Sequence, residues 1–400
     1  MRYICAELQV LNKHNVKNSK KGEWSKQAPN VAKNRAFIAE LEFCDYKLSE
    51  QDGRICVLIF ESFAYIHGYS IIGVTCPQSN VILGVMSLKK EIIITGVNGF
   101  VGHHLARELQ TAGYLVHGIG RESEANQDVA ENLDTYSQGD LLDKLSLASI
   151  RLNDASAIIH LAGLASVADS FKQPERYVND NAAMTDNLLT EAQSQGFNGR
   201  VVVISTGAIY DSTQPMPLTE NSRTAETSPY SIGKIAAEKT ALAHREAGMD
   251  IVIARPFNHI GPGQGPGFLV PDLWQQISTA RETNIASIKI GNLSSRRDYT
   301  DVRDIARAYR LLASAQSLSS SIYNVSSGNS YSGEDILREL QHTADTSLTP
   351  VIDPDKFRPS DAQEIIGDSS LLQGELGWKP AIPLRQTIED FAHSQQKIAA

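Results

Sequence analysis

The sequence predicts an α/β protein built on a doubly wound parallel sheet, and three observations carry that prediction. Short apolar runs at 92–95, 115–119, 157–161, 201–205 and 251–254 recur along the chain. Helix-length amphipathic segments such as 102–112 and 181–195 separate them. A glycine-rich turn follows the first run and opens the first helix. Strands alternating with helices imply right-handed βαβ units and a parallel sheet covered on both faces. After Arg255 the pattern changes to the turn-rich loop Gly261-Pro262-Gly263-Gln264-Gly265-Pro266-Gly267, followed by short mixed elements. This remainder is expected to form a smaller mixed α/β substrate domain.

A chain of 400 residues is too long for one ordinary core and too short for three. The expected division is an N-terminal extension over 1–85, a dinucleotide-binding domain over 86–257 plus about 291–327, and a substrate domain over 258–290 plus 328–400. A net charge of -9 without clustered Lys and Arg excludes a nucleic-acid surface and favours a small-molecule partner. All four cysteines (Cys5, Cys44, Cys56 and Cys76) precede Met86, with no CxxC pair. From Met86 onward thiol catalysis and disulfides are excluded, no metal site is expected, and the composition fits a cytoplasmic protein.

No secretory signal is expected, because Met1 to Lys21 lacks an apolar core. The apolar stretch from Ile55 to Cys76 carries Glu61 and His67. A carboxylate there would cost about 3 kcal/mol in a bilayer, so no membrane segment is expected. Residues 12–35 are rich in Lys and Asn, without helical or strand period, and read as loop or disorder. A dinucleotide fold starts with its first strand, here Ile92-Ile93-Ile94, so Met86 is read as the natural initiator and residues 1–85 as an extension or mistaken start.

The turn Thr95-Gly96-Val97-Asn98-Gly99-Phe100-Val101-Gly102 lies between a strand and a helix with its glycines three apart. Gly96, Gly99 and Gly102 let the backbone turn tightly and approach a pyrophosphate, while Phe100 and Val101 begin the helix whose N–H groups face that charge. The second strand ends in Gly120-Arg121, where an NAD site would usually show Asp or Glu. Arg121 suits a 2′-phosphate instead, so NADP(H) is preferred, with NAD(H) the alternative because Glu122 follows.

Tyr230-Ser231-Ile232-Gly233-Lys234 sets a phenol and an ammonium on one helix face. An ammonium about 4 Å away would favour the phenolate by roughly 4 kcal/mol at an effective dielectric near 20, which is expected to make Tyr230 a usable acid and base. Thr206, ending the strand 201–205, offers a hydroxyl to the reacting oxygen.

With these elements in this order, residues 90 to about 390 resemble the extended short-chain dehydrogenase/reductase family, also described as NAD-dependent epimerases/dehydratases. The resemblance implies a Rossmann-type sheet and a nicotinamide dinucleotide. It places Asp140 and Leu141 near adenine, Leu161, Ala162 and Gly163 beside the nicotinamide ribose, and Asn181 as a structural asparagine. Within the family, the stretches from Arg255 to Gln264, Arg297 to Asp304, Tyr323 to Gly328 and Arg358 to Ser360 are most similar to the branch that reduces GDP-4-keto-6-deoxy-D-mannose to GDP-D-rhamnose. That likeness implies that Thr206, Asn258, Arg297 and Arg358 face a GDP-linked sugar. For Arg297 the alternative is a surface ion pair with Asp298 or Asp301.

Nucleotide-sugar 4,6-dehydratases carry an acidic residue two before the tyrosine that is here Tyr210, and Ala208 and Gly207 stand where acids would be. The epimerase-reductases that make GDP-fucose use a Cys and His pair that the cysteine-free portion cannot supply. The resemblance therefore implies a simple 4-ketoreductase, a homodimer paired through the helix with Tyr230, and a role in polysaccharide biosynthesis. A nucleotide-sugar 4-epimerase and a non-catalytic nucleotide sensor on the same fold are the alternatives. Mass spectrometry of the native protein is expected to find no peptide from before Met86; such a peptide would overturn the reading of the start.

Overall fold

The computed structural model describes residues 90–353 and 362–399, together with five upstream strand segments. By contacts the chain divides into two compact units, Met1–Lys90 and Glu91–Ala400. In the first unit, Ile4–Leu8 and Tyr46–Gln51 each pair antiparallel with Arg54–Ile59, and Tyr69–Ile72 pairs antiparallel with Gly84–Ser87, the strand that holds Met86. Residues 12–35 lie outside the described residues. No helix among the described residues is long and apolar enough to cross a membrane.

The second unit opens with β1 (Glu91–Thr95), α1 (Phe100–Thr111), β2 (Leu115–Gly120), α2 (Gln127–Ala130), β3 (Thr135–Gln138) and α3 (Lys144–Ala148). It continues with β4 (Ala157–His160), α4 (Val167–Ser170), α5 (Pro174–Ser194), β5 (Arg200–Ile204), α6 (Pro229–Glu246) and β6 (Asp250–Pro256). Then follow β7 (Asn258–Ile260), α7 (Leu269–Glu282), β8 (Ser287–Ile290), β9 (Arg296–Asp301), α8 (Val302–Ser314) and β10 (Ile322–Val325). The chain ends with β11 (Ser330–Ser332), α9 (Gly333–Thr343), β12 (Thr349–Ile352), β13 (Glu364–Ile365), α10 (Ser370–Leu376) and α11 (Leu384–Ala399).

Seven strands form one sheet in the order β10-β6-β5-β4-β1-β2-β3. Every pairing in it is parallel, so the expected doubly wound fold is the observed one. Alternate residues of the strands serve opposite layers. Ile92, Ile94, Ile159 and Val202 pack under α1 and α8, whereas Ile93, Ile158, Val201 and Val203 pack under α5 and α6. The third strand, Thr-Tyr-Ser-Gln, has no apolar run because it is an edge strand with one neighbour and little burial. The strand order reverses between β1 and β4, which opens a crevice above their carboxyl ends.

A second, smaller core gathers α7, α9, α11 and β8 around Ile277, Leu340, Ile388 and Phe391. The chain crosses between the two cores more often than boundaries at 257, 291 and 327 imply. Strand β9 pairs with β7, β11 and β13 rather than with the large sheet, while Leu372 and Trp378 bury themselves in the core beneath α1 and α8.

Helix α6 is seated by two local devices. Ser228 caps it, with Ser231 returning the bond and Pro229 occupying the first turn. Gly233 faces α5 so closely that a Cβ would stand 2.0 Å from the Tyr177 carbonyl oxygen. Further along the helix, Glu238 makes a buried two-point ion pair with Arg255 of β6, at 2.9 and 2.6 Å. Removing one partner leaves a buried charge unpaired, so Glu238→Ala is expected to cost about 3–5 kcal/mol in urea denaturation. A loss under about 1 kcal/mol would show that the pair is dispensable.

Candidate active site

Above the strand ends lies a cleft of about 1150 Å³. Ligand pockets commonly hold about 300–1,000 Å³, so this one lies just above the usual range. Its lining includes Gly96, Gly99, Phe100, Val101, Gly102, Arg121, Asp140, Leu141, Leu161, Ala162 and Gly163 at one end, and Thr206, Tyr230 and Lys234 at the centre. Asn258 and Arg297 stand in the same wall beyond them. Arg358 lies outside the described residues.

The glycine turn is a cradle that side chains would fill. Gly96 has φ +69°, and a Cβ there would stand 2.8 Å from the Ala162 backbone. At Gly102 a Cβ would stand 2.1 Å from the Val97 carbonyl oxygen. The cap of α1 is Gly99, which offers no side-chain acceptor, and the first turn holds no acid. Its leading N–H groups therefore keep their positive character for an anion in the cleft. Asn98, which the glycine spacing did not single out, ties this turn to the second strand. Its amide donates to the Glu122 carboxylate at 2.9 Å and accepts from the Asn126 N–H at 2.9 Å. That bond, with the charge of Arg121, holds the Glu122 carboxyl below its ordinary range. Asp140 accepts from the Leu142 N–H at 2.9 Å.

Asn181 braces the loop after β4 by accepting from the Leu164 N–H at 2.7 Å and donating to its carbonyl at 3.2 Å. His160 is buried between Thr95 (2.8 Å) and Thr185 (3.2 Å), and burial together with the Lys234 charge pushes it down to about 3. It is a neutral core histidine.

Thr206 accepts from the Ala208 N–H at 3.1 Å, which shapes the short turn over Gly207–Ile209. Tyr230 and Lys234 are both buried. Burial raises the Tyr230 phenol above its ordinary value, opposed by a hydrogen bond with Thr206 and reinforced by Tyr177. Lys234 donates to the Ile204 carbonyl at 2.8 Å and is itself pushed down to about 8 by burial. The expected lowering of the phenol by the lysine is therefore not what the structure has. The two groups share one desolvated pocket, which disfavours charge on each, and the ammonium points at a carbonyl.

Neither carboxylate weighed as a partner for Arg297 is directed at it. Asp298 is buried and accepts from Ser327 and Gly328, while Asp301 is held by Arg303 and Thr387. The Arg297 guanidinium donates to the Arg296 and Ala362 carbonyls at 2.8 and 2.9 Å.

Residues 93–391 match the family model described as GDP-mannose 4,6 dehydratase. The chain belongs to that family. It is thereby one of the extended short-chain dehydrogenases/reductases, an oxidoreductase by class, and the cradle over α1 fits a nicotinamide dinucleotide. Among curated proteins it is similar to a GDP-6-deoxy-D-mannose reductase of Pseudomonas aeruginosa, 31% identical over 306 residues, 75% of this chain and 95% of that one. It is 25% identical to a UDP-glucose 4-epimerase of Pisum sativum over 339 residues, 76% of this chain and 95% of that one. Among solved structures it is similar to RMD from Pseudomonas aeruginosa complexed with NADPH, with a TM-score of 0.68 and 28% identity, covering 78% of this chain and 100% of that one.

The lowered lysine makes a pH prediction. Its folded pKa of about 8 lies below the ordinary lysine value, so between the two the unfolded chain binds more protons and stability rises with pH. Lys234→Met removes this dependence. Urea denaturation at about pH 7 and about pH 9.5 is expected to show the wild type gaining on the variant as pH rises. A gap that stays constant would mean that Lys234 keeps an ordinary pKa.

Proposed function

We propose that this protein is an NADPH-dependent 4-ketoreductase of a nucleotide-activated 6-deoxyhexose, GDP-4-keto-6-deoxy-D-mannose, with GDP-D-rhamnose as product. The observation that carries the reading is a buried, neutral Tyr230 beside Thr206, in a cleft whose wall has Ala208 where a dehydratase has an acid. A ketone reduction needs a proton donor, and a phenol held neutral is in the donating form. Elimination would need a further acid. Gly207 leaves no room for one without displacement, since a Cβ would stand 3.0 Å from the Phe257 ring.

Tyr230 donates its proton to the oxygen at sugar C4, and the Thr206 hydroxyl holds that oxygen in place. Lys234, held by the Ile204 carbonyl, shares the buried pocket with the phenol. The bound dinucleotide supplies the hydride to the C4 carbon. Arg121 lines the cleft after the second strand, and the Glu122 carboxylate beside it is bonded by Asn98, which supports Arg121 as the partner of a 2′-phosphate and hence NADPH. Arg297 is part of the cleft lining, and a guanidinium is suited to a diphosphate. The similarity to a GDP-6-deoxy-D-mannose reductase supports guanine as the base and a 6-deoxyhexose as the sugar.

The test mixes the protein with NADPH and GDP-4-keto-6-deoxymannose, follows NADPH absorbance and identifies the sugar by NMR. Stoichiometric oxidation with a D-rhamnose product is expected, and Tyr230→Phe should bind NADPH normally while losing at least about 100-fold in turnover. Sugar interconversion without net NADPH consumption would replace the reductase by an epimerase. Undiminished turnover in the variant would overturn the role of Tyr230.

A further inference from the structure

We infer that Asp272 reads the nucleobase of the substrate, pairing with the two adjacent N–H donors of guanine. The inference rests on the proposed GDP-linked substrate. Among the described residues, four carboxylates line the cleft: Glu122, Asp140, Asp180 and Asp272. Three have their place elsewhere. Glu122 and Asp140 follow strands β2 and β3 of the large sheet, and Asp180 is ion-paired with Arg176 at 3.1 Å. Only Asp272 belongs to the wall built by the small domain, on the first turn of α7.

Asp272 is exposed, and its Oδ1 accepts from the Gly267 N–H at 2.8 Å, which fixes the carboxylate at the end of the glycine-rich loop. Oδ2 and the second lone pair of Oδ1 remain for a ligand. A wall that binds a diphosphate gains nothing from a carboxylate, because like charges repel. An aspartate there is favourable where the ligand brings donors to it.

Guanine brings two that point the same way, N1–H and the 2-amino group, matching the two oxygens of a carboxylate as charge-assisted hydrogen bonds. Uracil offers a single N–H between two carbonyl oxygens, which a carboxylate repels, so the same residue would discriminate against UDP-sugars. A purely structural role, bracing the loop through Gly267, needs only Oδ1. The variant Asp272→Asn separates the two roles. Its amide oxygen still accepts from Gly267, whereas its NH2 group opposes the guanine donors.

The experiment is calorimetric titration of the full chain and of Asp272→Asn with GDP, IDP and UDP, with NADPH titrated in parallel. IDP lacks the 2-amino group and keeps everything else. The wild type is expected to bind GDP about tenfold more tightly than IDP, and UDP more weakly still. Asp272→Asn should lose about 10- to 100-fold in GDP affinity with NADPH binding unchanged. A wild type that prefers UDP would overturn the GDP-linked reading and this inference with it. A wild type that prefers GDP while Asp272→Asn leaves that preference intact would overturn the inference alone. So would equal binding of GDP and IDP by the wild type, or an equal loss for GDP, IDP and UDP in the variant, which would assign Asp272 to the ribose.

Discussion

The buried pair between Glu238 and Arg255 is the interaction on which the site's geometry depends. Glu238 lies one turn beyond Lys234 on α6, and Arg255 lies near the end of β6, beside the strand that leads to Thr206. Arg255 also donates to the Tyr210 hydroxyl at 2.9 Å, with its guanidinium 5.0 Å above that ring, and Tyr210 donates to Asn324 of β10 at 2.7 Å. One cation thus joins the helix carrying Tyr230, the loop following Thr206 and the last strand of the sheet. A shift of any of these elements would strand a buried charge, so the reactive groups are held by an electrostatic constraint as well as by packing.

Around that anchor the cleft separates two electrostatic regimes. At the glycine turn, close backbone approach and an uncapped helix start favour a bound anion. At the centre, burial disfavours charge on both Tyr230 and Lys234. The arrangement favours an anion at one place and disfavours charge at another, which a single uniformly polar cleft would not do. Asn98 braces the glycine turn by bonding Glu122 and Asn126 beyond the second strand.

Much of the fold was legible because parallel strands buried on both faces must be apolar throughout. The runs at β1, β2, β4, β5 and β6 are of that kind, and their order implied the sheet. What escaped lay where this physics relaxes. Strand β3 is polar because an edge needs no second face, and α5 begins at Pro174, seven residues before the segment read as helical, because its first turns cover little core. The glycine turn was legible for a steric reason, since no other residue fits against Ala162 or Val97. The environment of Tyr230 was not. A Tyr and a Lys four apart on a helix say which atoms share a face, but not how dry the pocket is or that the Ile204 carbonyl takes the ammonium.

By itself, the sequence determined the layer architecture, the glycine-rich turn at the start of the first helix and the spacing that sets Tyr230 and Lys234 on one helix. Each of these depends on local backbone geometry or on residue spacing within one element. Only the tertiary structure decided that burial raises the Tyr230 phenol above its ordinary value, that Asp298 is a buried acceptor for backbone N–H groups rather than a partner for Arg297, and that Asp272 reaches the cleft wall. Burial and hydrogen-bond partnership are properties of what surrounds a group in space, and residues far apart in the chain supply those surroundings.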